Sequence, residues 1–263
     1  MTKTISFVIP VYNEEKRLIK TSTALKNVVI PPYLELEKII FVNDGSKDYT
    51  LEVLRSIYQN IENGTGAEVK FVTYPKNRGK GYAIKTGMEH SDSDYTLFFD
   101  ADMATPLTEL EKLVPHMQAN RPIIVGTRKN GESTVIKHQP RHREILGRAY
   151  TLLSQLILNT WVTDFTCGFK AFSREAKDDI FSRSKIDRWG YDSEILFLAG
   201  RLGYNIVEQA VAWSDDKDSK VKLSKAIFTS LADLIKIRVN ELTGRYELGY
   251  ARRLASRFGL ATN

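Results

Sequence analysis

Cysteine is almost absent from this chain: Cys167 is the only one among 263 residues. A lone cysteine excludes an internal disulfide framework and makes a reducing compartment the default. With no evident histidine partner, it is expected to be a small buried residue rather than a nucleophile. Long apolar runs are also lacking, and none approaches the roughly 18 to 20 residues that a membrane span requires. The start, Met1-Thr-Lys-Thr4, passes directly into a strand pattern. It has no charged n-region, apolar h-region and cleavage site, which predicts no export by the secretory route. Two phosphate cradles are missing: no Gly-x-Gly-x-x-Gly follows the first strand, and no Gly-x-x-x-x-Gly-Lys-Ser/Thr occurs anywhere. A nucleotide bound here needs another neutraliser for its phosphates.

What is present fits a soluble globular protein, with 42% hydrophobic and 27% charged residues, built as one large domain or as a domain with an appendage. The 38 basic against 32 acidic residues give a formal charge of +6, which admits nucleic acid, anionic lipid or phosphorylated small molecules as partners. The excess is localised. The last 20 residues hold Arg245, Arg252, Arg253 and Arg257 against one acid, Glu247.

Apolar β-forming runs alternate with helix-compatible segments along the first half. Strands are expected at residues 4–9, 38–43, 68–73, 95–99 and 122–126, with helices reaching about Asn27 and over 48–61, 81–89 and 107–118. That alternation predicts an α/β fold with a mostly parallel sheet covered on both faces and ligands beyond the carboxyl ends of the strands. Tyr12, Glu14, Asp44, Asp100 and Asp102 each fall just after a strand, where that rule puts a site. Asp100 and Asp102 end a strand two residues apart, so one loop can turn both carboxylates toward a divalent cation, which would bridge them to diphosphate oxygens. Acids gathered at the expected pocket repel phosphates in the absence of a metal and exclude a nucleic-acid-binding role.

Four short motifs, in this order and spacing, carry a resemblance: Pro10-Val-Tyr-Asn-Glu14, Val42-Asn-Asp44-Gly-Ser46, Asn77-Arg-Gly-Lys80-Gly and Asp100-Ala-Asp102. Together they resemble the inverting glycosyltransferases of family 2, which have the GT-A fold, and within them the dolichyl-phosphate and polyprenyl-phosphate sugar synthases. Asp164-Phe-Thr-Cys-Gly-Phe-Lys170, Trp189-Gly-Tyr-Asp192-Ser-Glu194, Val211-Ala-Trp213 and Ser219-Lys220 extend the likeness to about residue 222. The resemblance implies that Pro10, Tyr12, Glu14, Asp44 and Lys80 serve the donor nucleotide, that Asp100 contacts the sugar nucleotide, and that Asp102 with Asp100 binds Mg2+ or Mn2+. Ala104 departs from the pattern. Mannose synthases usually carry a glutamine there, so the likeness leans to the glucosyl branch and UDP-glucose over GDP-mannose.

The acceptor side follows from chemistry. A hydroxyl acceptor wants a general base, for which Asp164 and Glu194 are the candidates, whereas a polyprenyl phosphate is already anionic and needs cations instead. Residues 126–148 supply Arg128, Lys129, Lys137, Arg141, Arg143 and Arg148, with His138 and His142 among them. By resemblance Arg128 and Arg143 are the acceptor-phosphate ligands, with Lys220 a third and Asp164 a positioning residue. Asp100, Asp102, Asp164 and Arg128 are therefore the expected catalytic set. Phe228, Leu231, Ile235, Val239 and Leu242 fall on one helical face, and Tyr246, Tyr250, Leu254 and Phe258 recur among the tail arginines. That is the pattern of an amphipathic, basic segment that lies in a bilayer interface or packs on the catalytic domain.

The expected whole is a metal-dependent inverting hexosyltransferase, peripheral at the cytoplasmic face of a membrane. Its catalytic domain spans residues 1–222, with a donor half to about 127 and an acceptor half from 128, and an amphipathic helical appendage spans 223–263. The alternatives are a family 2 enzyme acting on a saccharide hydroxyl and a GDP-mannose-dependent polyprenyl-phosphate mannosyltransferase.

Overall fold

The computed structural model describes residues 2–248 apart from 130, 132, 138–140 and 215–222. A seven-stranded sheet runs through it in the order β3-β2-β1-β4-β7-β5-β8. The strands are β1 (Lys3–Val11), β2 (Leu34–Asn43), β3 (Glu68–Thr73), β4 (Tyr95–Phe99), β5 (Ile123–Thr127), β7 (Phe169–Ser173) and β8 (Ile206–Ala210). A short ribbon pairs β6 (Val135–Lys137) with β9 (Trp213–Ser214). The central strands bury both faces, so they read as continuous apolar runs rather than alternating ones. In β1, Ile5, Phe7, Ile9 and Val11 face one core, whereas Val8 faces the other.

The first core is closed by α1 (Leu18–Lys26), α2 (Thr50–Thr65) and α4 (Leu110–Gln118) through Leu18, Leu25, Leu54, Ile61, Leu110, Leu113 and Met117. The second is closed by α3 (Lys80–Met88), α5 (Arg141–Leu158), α6 (Arg174–Arg183), α7 (Tyr191–Leu202) and α8 (Leu223–Leu242). The five expected strands and their helices are all found, β3 and β4 at the expected bounds and the others with shifted ends. β2 begins at Leu34, because Leu34 and Leu36 alternate with exposed Glu35 and lead into the fully buried run. The helix after β1 begins only at Leu18, since residues 12–17 form the loop that faces the crevice.

Two features position the site. The chain leaves β1 for β2 on one side and later returns to β4 on the other, so the strand order reverses between β1 and β4, the place where open α/β sheets bind ligands. Then β7, from the second half of the chain, inserts antiparallel between β4 and β5, pairing Phe99 with Phe169 and Val125 with Lys170. The second half is thereby carried into the middle of the sheet built by the first.

α8 packs on α5 and α7 and buries Leu234 and Ile237. Of the apolar face expected on this helix, Leu231 is half-buried while Ile235, Val239 and Leu242 are exposed; the side chain of Phe228 and residues 249–263 lie outside the described residues. Tyr246, four residues past α8, is buried and donates its hydroxyl to Glu194 Oε1 at 2.7 Å. The same carboxylate accepts the backbone N–H groups of Lys185 and Ile186 at 2.8–3.0 Å. Glu194 thus ties the segment before α7 to the C-terminal helix. Tyr246→Phe should cost about 1.5–3 kcal/mol, the usual net cost of removing a hydrogen bond to a charged acceptor. In a chain of this size each kcal/mol lowers the thermal midpoint by about 2–4 °C, checked by calorimetry.

Candidate active site

The crevice above β1 and β4 is built from loops that hold one another. Asn13, with a positive φ of 55°, donates its N–H to Ser46 Oγ at 2.9 Å and accepts the Lys47 N–H on its side-chain oxygen at 2.8 Å. Glu14 donates its backbone N–H to Thr50 Oγ1 at 2.8 Å, and both its carboxylate oxygens lie 3.1 Å from one guanidinium nitrogen of Arg17. Pro10 is half-buried in β1, and Tyr12 stands 39% exposed over the loop. Asp44 is buried and accepts the side-chain amide of Asn77 at 2.7 Å and the backbone N–H groups of Arg78 and Gly79 at 2.7 and 2.9 Å. Its first task is therefore to fix the loop that opens α3. Gly79 is required there: its φ is +115°, and a Cβ would fall 2.5 Å from the carbonyl oxygen of Asp187.

That loop delivers Lys80 at the first turn of α3, with Nζ 2.5 Å from Asp100 Oδ1. The turn carrying Asp100 and Asp102 is itself pinned: Thr21 of α1 donates to Ala101 O at 2.6 Å, and the Ala104 N–H is donated to Asp102 Oδ1 at 3.0 Å. Ala104 contributes no side-chain ligand. Gly168, just before β7, passes so close that a Cβ there would meet Asp100 Oδ2 at 2.2 Å. Burial and the neighbouring Asp100 charge hold the Asp102 carboxyl above the usual carboxylate range, against the opposing pull of the Ala104 N–H, Lys80 and Arg17. Two carboxylates two residues apart on one turn are hard oxygen ligands of the kind that bind a divalent cation. Among the described residues no group of three His, Cys, Asp or Glu could hold a metal alone. Two carboxylates with an open side fit a divalent ion whose remaining ligands come from a diphosphate.

Behind Asp100 lies a buried pair that motif reading gives no role. Lys170 of β7 donates to Asp192 Oδ1 at 2.6 Å and to Cys167 O at 2.5 Å. Asp192 is held above its usual range by burial, moderated by Lys170 and then Lys80. Although burial alone would lower it, the Lys80 ammonium is held above its usual range by Asp100 and Asp192. The Gly-Phe-Lys run and the Asp192 segment are visible in the sequence, but their ion pair is legible only once β7 is known to lie beside β4.

Across the crevice, at the end of β5, Arg128 grips Asp164 with a two-pronged fork, Nε to Oδ2 at 2.7 Å and Nη2 to Oδ1 at 2.9 Å. Nη2 also donates to Thr166 Oγ1 at 2.9 Å, and the Trp213 ring lies 5.2 Å from the guanidinium carbon. Lys129 Nζ adds a second cation 3.5 Å from Asp164 Oδ1. Asp164 is fully buried, which alone would raise its pKa, yet Arg128 and then Lys129 hold the carboxyl far below the usual range. Burial alone would lower the pKa of the Arg128 guanidinium, but Asp164 holds it above its usual range, with a smaller contribution from Asp100. Arg143 sits half-buried in the first turn of α5; Lys220 lies outside the described residues. Cys167 is buried, as its isolation led one to expect, and burial pushes its thiol up to about 11, which leaves it protonated and unreactive.

Neither candidate base is free to act as one. Asp164 is locked in the Arg128 fork, and Glu194 is engaged by Tyr246 and two backbone N–H groups. The arrangement is a carboxylate pair suited to a cation, a lysine beside it, and a rigidly held arginine facing them.

Comparison with known proteins agrees with this geometry. The description "Glycosyl transferase family 2" matches residues 6–181. The chain is similar to dolichyl-phosphate beta-glucosyltransferase of Homo sapiens, with 34% identity over 264 residues covering 96% of this chain and 80% of that one. It is also similar to the enzyme of the same name from Saccharomyces cerevisiae, with 30% identity covering 92% and 76%. In three dimensions it resembles glucosyl-3-phosphoglycerate synthase from Mycobacterium tuberculosis, solved with Mn2+, UDP-glucose and phosphoglyceric acid. The TM-score is 0.64 at 20% identity, covering 89% of this chain and 79% of that one, a likeness of fold. The chain belongs to glycosyl transferase family 2 and has the GT-A fold.

Proposed function

We propose that this chain transfers glucose from UDP-glucose to a polyprenyl phosphate of the dolichyl type, with inversion at the anomeric carbon, at the cytoplasmic face of a membrane. The observation that carries this reading is the state of Asp164. The carboxylate best placed to serve as a base is locked in a fork by Arg128, so the acceptor must bring its own nucleophilic anion. A phosphate monoester does so. The similarity to dolichyl-phosphate beta-glucosyltransferases points to the same acceptor, and Ala104 favours the glucosyl branch.

On this reading Tyr12 stacks on the base, while Pro10, Glu14 and Asp44 shape the nucleoside pocket. Asp102 and Asp100 hold Mg2+ or Mn2+, which supplies charge neutralisation to the departing diphosphate when bound. Lys80 shares Asp100 and adds a second positive charge on that side. Arg128 orients the acceptor phosphate through Nη1, which has no partner among the described residues, and Arg143 and Lys220 complete the anion site. A phosphate oxygen then attacks the anomeric carbon as its bond to the β-phosphate breaks and UDP departs. Asp164 positions Arg128. No helix among the described residues is long and apolar enough to cross a membrane. The amphipathic, basic sequence of residues 223–263 supports contact of that segment with lipid.

The decisive assay offers UDP-glucose and GDP-mannose with a short polyprenyl phosphate and Mn2+ or Mg2+. Glycolipid and UDP should appear in equal amounts, and chelation should stop both. Transfer to a saccharide hydroxyl with no lipid phosphate consumed would sink the reading. Asp102→Ala should weaken metal-dependent UDP-glucose binding by more than about tenfold, read by calorimetry with and without Mn2+.

Asp164→Asn separates positioning from base catalysis. Donor binding should stay intact, transfer should fall on the order of a hundredfold through a misplaced Arg128, and the acid limb of kcat/KM should keep its position. A shift of that limb would restore the base assignment. The substitution also has a stability signature. Because the folded carboxyl ionises far below its unfolded value of about 3.9, the Arg128 pair stabilises fully above that pH and progressively less as pH falls below it. Acid denaturation of Asp164→Asn should therefore show a shallower loss of stability below about pH 4 than the parent chain.

A further inference from the structure

α5 presents its two faces in the reverse of the order expected for a helix on a water-soluble protein. Its inward side carries Tyr150, Thr151, Ser154 and Leu158, all buried. Its outward side carries Ile145, Ala149, Leu152 and Leu156 at helical spacing, flanked by Leu146 and Leu153. Ile145, Leu152 and Leu156 are 66%, 55% and 62% exposed. A helix free to roll about its axis would exchange these faces. This one is fixed in place by Tyr150 OH against Ser193 Oγ at 2.8 Å, by Gln155 Nε2 donating to Val162 O at 2.8 Å, and by Lys129 Nζ donating to Thr151 Oγ1 at 2.9 Å. The exposed leucines are built in.

We propose that this outward face of α5 docks the chain on the interfacial zone of an anionic bilayer. Chemistry at the edges of the stripe selects lipid over a protein partner. α5 carries Arg141, Arg143 and Arg148 against one acid, Glu144, and Arg148 is exposed on the flank of the stripe. Trp161, just past the C-terminal end of the helix, is 68% exposed, a residue suited to the headgroup level. α8 packs beside α5 and exposes Ile235 and Val239 together with Lys236. A polar-rimmed apolar stripe with basic flanks and an interfacial tryptophan is what an in-plane helix presents to anionic lipid. Docking through α5 does not require a lipid substrate. Its consequence for catalysis rests on the polyprenyl-phosphate reading: Lys129 joins α5 to the Arg128–Asp164 fork, so a phosphate headgroup leaving the bilayer meets that fork directly.

The test uses the full chain with vesicles of phosphatidylcholine, alone or mixed with phosphatidylserine. The parent chain should float with the anionic vesicles, and the triple variant Ile145→Ser, Leu152→Ser, Leu156→Ser should lose at least about tenfold in bound fraction, since three exposed apolar side chains supply the contact. Its thermal midpoint should match the parent's. A second probe guards against a variant that misfolds: Leu156→Trp should gain emission that brominated-acyl lipid quenches. With short polyprenyl phosphate in detergent the triple variant should turn over like the parent, and with acceptor embedded in vesicles it should not. Undiminished flotation of the triple variant, or an unquenched Trp at 156, overturns the proposal. So does a dimer in sedimentation that the triple variant dissolves without any vesicle binding, which would make a second copy the occupant. If the parent floats through this face but makes no glycolipid even in detergent, the acceptor reading fails and the docking stands.

Discussion

The close approach of Gly168 to Asp100 is the constraint on which the rest of the site depends. β4 delivers the carboxylate from the first half of the chain, and β7 brings the backbone of the second half to within the space that a single Cβ would fill. With one oxygen against that backbone and the other beside Lys80, Asp100 has little freedom to turn. Asp102 can then be aimed by the short turn that follows. Any side chain at 168 would push Asp100 toward Lys80 or out of the crevice, and would disturb its pairing with Asp102.

Charge placement explains why the second half is so rich in buried ions. Lys170 with Asp192, and Arg128 with Asp164, are each desolvated pairs, and such pairs give little net stability compared with apolar packing. What they fix is geometry. Lys170 locks β7 to the start of α7 behind the carboxylates, and Asp164 holds the guanidinium plane of Arg128 facing them. In a fold whose sheet order places β7 between β4 and β5, these two pairs sit on adjacent strands and loops, so the two sides of the crevice are braced by the same insertion.

Much of this was legible from residues alone, for a physical reason. Strands buried on both faces leave apolar runs that stop where the chain turns, and the polar residues after them mark the sheet's carboxyl edge, as Asp44, Asp100 and Asp102 do. What periodicity cannot report is pairing at long range. Nothing in Phe169–Ser173 says that the strand runs antiparallel between β4 and β5, so the ion pairs of Lys170 and Asp164, the sealing of Glu194 by Tyr246 and the contact at Gly168 stayed hidden. α8 shows a second limit. Its sequence admits two apolar faces, one through Leu234 and Ile237 and one through Ile235, Val239 and Leu242, and only packing decides that the first is buried. On α5 the sequence admits the leucines as a buried stripe, because an apolar stripe is ordinarily the inward one, and only packing shows Ile145, Leu152 and Leu156 exposed.

Ala104 links these parts in a way its side chain does not suggest. Its N–H is donated to Asp102, and its carbonyl accepts the N–H of Ser214 at 2.9 Å. Ser214 follows Trp213, whose ring lies over the guanidinium of Arg128 and whose own N–H is donated to Thr134 O at 2.9 Å. One short strand, β9, therefore touches the carboxylate turn at one residue and the arginine at the next. The two sides of the crevice are joined by backbone hydrogen bonds as well as by the field between their charges.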